Sequence, residues 1–188
     1  MTSKIENIHK KLHEKFANNL YESLTNNNSV LEEIEVKGRA AYYFGEILYK
    51  DKNITDTQLE VTKIFYELFT DFTVASYLSC CAIDNAARIV LRRILELGVA
   101  TVYLWDLPYK FWNWNNYDNH NNDLNFSEML NYLNNKGYVD FVNNENGSDL
   151  DTLINKESIS KTYRDLSNVI HGKSINFESL DDDSFEYK

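Results

Sequence analysis

Apolar residues recur along this chain at steps of three and four, the spacing that lines one face of an α-helix. Ile5, Ile8, Leu12, Phe16 and Leu20 do so first and predict a helix over residues 4–24. TNNNS (25–29) then reads as a turn in which Ser29 can cap the next helix. Leu31, Ile34, Ala41, Phe44 and Leu48 share a face of that helix to Lys50. DKNITD (51–56) is a second break, with Thr55 or Asp56 as cap, and Val61, Phe65, Leu68, Phe72 and Ala75 carry a third helix to Ser79. Asp84 and Asn85 mark either a short break or the first turn of a fourth. Ile83, Ala87, Val90, Ile94, Leu97, Thr101 and Leu104 then repeat at 4-3-4-3-4-3. From Ile94 onward this helix is apolar on nearly every side, which makes it the candidate central buried helix. Pro108 ends it or starts a new turn.

The stretch 110–125 is Asn-rich and reads as a long loop, the kind that in a compact domain is often functional or disordered. Residues 126–135 predict a short helix with Phe126, Met129, Leu130 and Leu133 inward. NNENGSD (143–149) is another loop, and a last helix spans Glu157 to Ile170, with Gly172 as its C-terminal cap. The expected fold is therefore all-α: one bundle of six helices in residues 1–176, followed by a tail at 177–188. No internal repeat is visible.

Composition supports that reading. With only six Gly and one Pro in 188 residues, the tight turns of a hairpin-rich sheet protein have no source. Ten Phe, thirteen Tyr and three Trp supply core volume, so a chain this long needs no disulfide or metal to fold. Cys80 and Cys81 are adjacent, which disfavours a bridge and predicts buried thiols in a reducing, cytoplasmic compartment. The N-terminus has no apolar signal-peptide core. The longest apolar run, Leu95 to Trp105, contains Glu96 and is too short to span a bilayer. No targeting or membrane segment is expected.

Net charge is −10, so bulk attraction to a polyanion is excluded and any nucleic-acid contact needs a local concentration of basic residues. Part of the acidity sits in the tail, at Glu178, Asp181, Asp182, Asp183 and Glu186.

The last predicted helix carries the candidate chemistry. Ile159, Tyr163, Leu166 and Ile170 form its core face, and Lys161, Arg164, Asn168 and His171, spaced 3-4-3, form a second stripe beside it. Metal-independent RNA cleavage needs a base for the 2′-hydroxyl, an acid for the leaving oxygen, and positive charge where the phosphorane develops. Histidine exchanges protons near neutral pH. Arginine holds phosphate oxygens in a bidentate fork. A single His does not easily serve as both acid and base, and a symmetric dimer would supply a second.

Arg164, the polar Asp165 directly after it, and His171 after six intervening residues resemble the signature of HEPN domains, which are all-α bundles carrying the motif on a late helix. The run 87–98 also resembles a central helix of bacterial HEPN-like groups, with Arg92 and Glu96 at i, i+4. The resemblance implies a homodimer whose motifs face a shared cleft, and a metal-independent endoribonuclease acting as a toxin or anti-phage effector. It makes Arg164 and His171 the catalytic pair. Asn168, Lys161, Asp165, Glu96 and Arg92 become substrate-binding or supporting residues. An antitoxin or another defence-complex protein is a further implied partner. A Tyr two positions after the His, found where a partner nucleotidylates the toxin, is replaced by Lys173.

Each signal has a plainer counterpart. Glu96 could form a structural ion pair with Arg92 or Arg93. Arg88, Arg92 and Arg93 could line the cleft with Lys161, Arg164 and Lys173, or simply pair with Asp84 and Glu96 along their own helix. Asp118, His120 and Asp123 match no metal-ligand spacing, so no metal and no cofactor are expected. Trp105, Trp112 and Trp114 fit hydrophobic anchors of the loop better than base-stacking platforms. The alternative function is a non-catalytic HEPN-like module that binds or assembles a defence complex; a helical interaction protein outside that family is the third reading.

Overall fold

A computed structural model describes residues 4–117 and 123–170 of the chain. Within them every regular element is an α-helix. α1 (Lys4–Asn26) runs into α2 (Asn28–Lys50) across one residue. The turn expected at 25–29 is thus reduced to Asn27, because the backbone ladder passes through it. The Asn27 carbonyl accepts from the Val30 and Leu31 amides at 3.1 and 3.0 Å, and the Asn27 amide donates to the Ser23 carbonyl at 2.9 Å. Ser29 lies inside α2 and caps nothing.

α3 (Asp56–Cys80) opens with a capping box. Thr55 Oγ1 accepts from the Gln58 amide at 3.2 Å, and Gln58 Oε1 accepts from the Thr55 amide at 3.0 Å. The chain then reverses in three residues. Ala82 takes the left-handed conformation at φ 57, and the Ile83 amide closes back on the Leu78 carbonyl at 2.9 Å. α4 (Asp84–Asp106) therefore begins at Asp84, and the polar pair 84–85 is its first turn.

Two helices were not legible in the periodic pattern. α5 (Pro108–Asn116) lies inside the stretch expected to be loop; Pro108 sits in its first turn, where its missing N–H leaves no bond unmade. Only Phe111 and Trp114 of α5 face the core, too few to stand out among its asparagines. α6 (Phe126–Leu133) is the short helix that its apolar spacing predicted, and Asn125 caps it by accepting from the Glu128 amide. α7 (Lys136–Asn146) has Val139 as its one buried residue, with Asn135 as N-cap and Gly147, at φ 62, closing it. With α8 (Lys156–Ile170) the described residues form eight helices where six were expected.

α3 and α4 are the central pair. α2 packs on α3, α6 and α8 pack on α4, and α5 touches both central helices. The core joins Val61, Ile64 and Leu68 of α3 to Val99, Ala100, Tyr103 and Leu104 of α4, with Phe111 and four residues of α6 completing it. Each such large side chain, fully buried, contributes about 1.5–3 kcal/mol, so this cluster dominates stability. The second half of α4 holds most of its buried residues, Val99, Ala100, Thr101, Tyr103 and Leu104, although Val102 beside them is 50% exposed, so the helix is not buried on every side as its pattern suggested. In its first half Ala87 is the buried residue, and Ile89 is 49% exposed. Cys80 and Cys81 are buried and unbridged, and burial, with Cys81 beside it, pushes the Cys80 thiol pKa up, away from reactivity. Among the described residues no helix is long and apolar enough to cross a membrane.

Candidate functional site

α8 is positioned from its first turn. Asn155 Oδ1 accepts from the Ser158 amide at 2.9 Å, and Lys156 Nζ donates to Asn131 Oδ1 of α6 at 2.6 Å. Ile159 and Tyr163 pack against the core. This orientation leaves Lys161, Arg164 and Asp165 exposed and Asn168 half-buried. The 3-4 spacing keeps Lys161, Arg164 and Asn168 on one stripe. Neither Lys161 nor Arg164 forms a hydrogen bond or ion pair with another described residue. α8 bears Lys156, Lys161 and Arg164 against Glu157 and Asp165, so it is locally basic in a chain of net charge −10. His171, Gly172, Lys173 and the tail lie outside the described residues.

The residue just before Arg164 is the one that holds α8 in place. The Tyr163 ring stacks on Phe126 of α6, with centroids 4.0 Å apart and planes 16° from parallel. Arg92 of α4 lies over the ring at 4.8 Å and donates through Nη2 to the Tyr163 hydroxyl at 2.7 Å. Arg92 Nε also donates to Glu96 Oε1 at 3.0 Å. Arg92 thus joins three polar groups on two helices, donating to the Glu96 carboxylate on its own helix and to the Tyr163 phenol on α8. Burial, followed by Glu96, raises the Tyr163 pKa above its ordinary value. Burial alone would lower the Arg92 pKa, but the Glu96 carboxylate and Tyr163 together outweigh it and raise it.

This arrangement assigns several sequence candidates. The ion partner of Glu96 is Arg92, and the pair is not deeply buried, because the Glu96 side chain is 37% exposed. Arg92 bonds both Glu96 and Tyr163 and so ties α8 to α4. Arg93 departs from the expected basic patch. It turns to α3, where Nη1 donates to Asp71 Oδ1 at 2.6 Å and Nη2 to Glu67 Oε2 at 2.5 Å. Asp71 is buried and needs that cation. Arg88 is exposed and forms no ion pair with Asp84. Asp118 and His120 lie outside the described residues. Trp105 and Trp114 pack against the core, whereas Trp112 stays 49% exposed in an edge contact with Tyr117.

Tyr163 is the member of the site that the helical pattern hid. Periodicity counted it as a core residue like Leu, which it is, but its hydroxyl needs a partner and finds the Arg92 guanidinium. Tyr163→Phe is expected to cost about 1 kcal/mol at neutral pH. The native pKa of Tyr163 is raised from 10.0, so this contribution is complete below pH 10.0 and is lost as pH climbs through the higher native value. The urea-unfolding gap between wild type and Tyr163→Phe should therefore narrow above pH 10.0; a gap that persists unchanged would mean the phenolic proton contributes nothing at this site.

The described part of the site presents a guanidinium and an ammonium, neither paired among the described residues, outward on a helix held from behind by Tyr163. No family model matches the chain, and neither a curated protein nor a solved structure matches it.

Proposed function

We propose that this chain is a HEPN-type, metal-independent endoribonuclease, acting in the cytoplasm as a toxin or anti-phage effector. The observation that carries the reading is the bridge by which Arg92, itself held by Glu96, bonds the Tyr163 hydroxyl. It fixes the helix at the residue before Arg164 and leaves Arg164 and Lys161 exposed, with no hydrogen bond or ion pair to another described residue. Glu96 and Arg92 then act as positioning residues, which agrees with the role the HEPN resemblance gives to the acidic residue of the central helix.

In the proposed reaction His171 takes the proton of the ribose 2′-hydroxyl. The 2′-oxygen attacks phosphorus, the P–O5′ bond breaks, and a proton is returned to the 5′-oxygen. The products end in a 2′,3′-cyclic phosphate and a 5′-hydroxyl. A second His171, from a partner copy, serves as the opposite proton carrier. Arg164 stabilises the charge of the phosphorane. Lys161 and Asn168 orient the phosphate.

The test is cleavage of RNA by the purified full chain in EDTA, with the product ends analysed. Cleavage that persists in EDTA, yields cyclic phosphate and is lost in His171→Ala is the expected outcome. Equal cleavage by His171→Ala removes the basis of the proposal.

A second reading, a non-catalytic HEPN-like module that assembles with an antitoxin or another defence protein, is favoured by the net charge of −10. It predicts that wild type and His171→Ala bind the same partner and that neither cuts RNA.

A further inference from the structure

We propose that the outer face of α2 is an antiparallel docking seam for a second copy of this chain. α2 carries two stripes. One faces α3 and includes the buried Gly38 and Gly45. The other is Val36, Ala40, Tyr43 and Ile47, spaced 4-3-4, the interval of a coiled-coil seam. All four are exposed, Val36 and Ile47 by 66% and 67%. Scattered exposed apolar residues are ordinary, but a periodic row of them along one helix is not.

The row is symmetrical about the midpoint between Ala41 and Tyr42. In an antiparallel two-fold pairing, Val36 therefore meets the partner's Ile47, and Ala40 meets the partner's Tyr43. Small faces large in both central layers, so the gap left by Ala40 is filled by a ring. One step outward Glu33 meets the partner's Lys50. The side chains of Glu33 and Lys50 are 65% and 71% exposed, in weak ion pairs with Lys37 and Glu46 of their own helix. A parallel pairing would instead set Glu33 on Glu33, Lys50 on Lys50 and Tyr43 on Tyr43. Size and charge thus choose the same orientation. A partner of unrelated sequence would not require this chain to complement itself, which is why a second copy is the occupant. α2 stands on α3, whereas Lys161 and Arg164 belong to α8 on α4, so the seam uses no residue of the candidate site and does not depend on its chemistry.

Sedimentation velocity of the full chain over a range of concentrations tests this. Wild type is expected at twice the monomer mass, or a multiple of it, as concentration rises. Tyr43→Glu places an acid in both central layers and should weaken association at least tenfold with helical content unchanged. Glu33→Lys and Lys50→Glu should each weaken it, and the double variant should restore it. The double variant keeps both like-charge contacts within its own helix, so recovery can come only from contact between copies. Parallel pairing would show no loss in the single variants and no recovery in the double. A monomer at every concentration, association undiminished by Tyr43→Glu, or single reversals that the double does not repair would each overturn the proposal.

Discussion

Arg164→Ala is expected to lower RNA cleavage by about 10²–10³-fold while leaving the fold intact, the loss typical of removing one charge-stabilising donor from a transition state. The side chain is exposed and makes no hydrogen bond or ion pair with another described residue, so its removal should change stability by no more than about 0.5 kcal/mol. Rate and stability therefore separate at this position. Arg164→Lys keeps the charge but loses the planar fork, and should recover only part of the rate. His171→Ala, which removes a proton carrier, should cost about 10²–10⁴-fold. Initial rates in EDTA beside urea-unfolding midpoints decide the matter. An Arg164→Ala chain as fast as wild type, or one slowed only in step with lost stability, would contradict the assigned role.

Much of this architecture is written in the spacing of its apolar residues. α1, α3, α4, α6 and α8 are each long or strongly patterned, and burial follows the predicted face in α3, in the second half of α4 and in α6. α5 and α7 escaped because Asn has low helix propensity and each helix buries almost nothing of its own. The face of α8 was legible for the same reason as the core: Tyr163 inward forces Arg164 and Lys161 outward. What held α8 in place was not legible. The partner of Glu96 could have been Arg92 or Arg93, and only packing shows that Arg93 is drawn away by the buried Asp71. The outer row on α2 was also missed, since its helix was read for one apolar face and carries two.

Gly45→Ala is expected to destabilise the protein by about 1–3 kcal/mol, whereas Gly38→Ala two turns away on the same helix should be neutral or stabilising by up to about 1 kcal/mol. A Cβ on Gly45 would lie 2.6 Å from Phe65 Cβ and 3.1 Å from its Cγ. Phe65 Cβ is fixed to the α3 backbone and cannot rotate aside, so the two helices must separate. A Cβ on Gly38 would instead meet Phe69 Cδ2 at 3.6 Å and Phe72 Cβ at 3.7 Å, which is ordinary contact. There the gain in helix propensity prevails. Urea midpoints of the two variants should move in opposite directions, or one should move and the other stay. Equal losses would mean that α2 does not approach α3 most closely at Phe65.

The bridge from Arg92 to Tyr163 also governs when the cationic face exists at all. α4 is the helix on which most of the molecule rests, and hydrogen exchange in such helices commonly requires near-global opening. Fastened to α4, α8 cannot fray backward past Tyr163 without releasing a stacked ring and a guanidinium together. The orientation of Arg164 is therefore preorganised before any ligand arrives, and a phosphate docking there would not have to supply the entropy of ordering the helix that receives it.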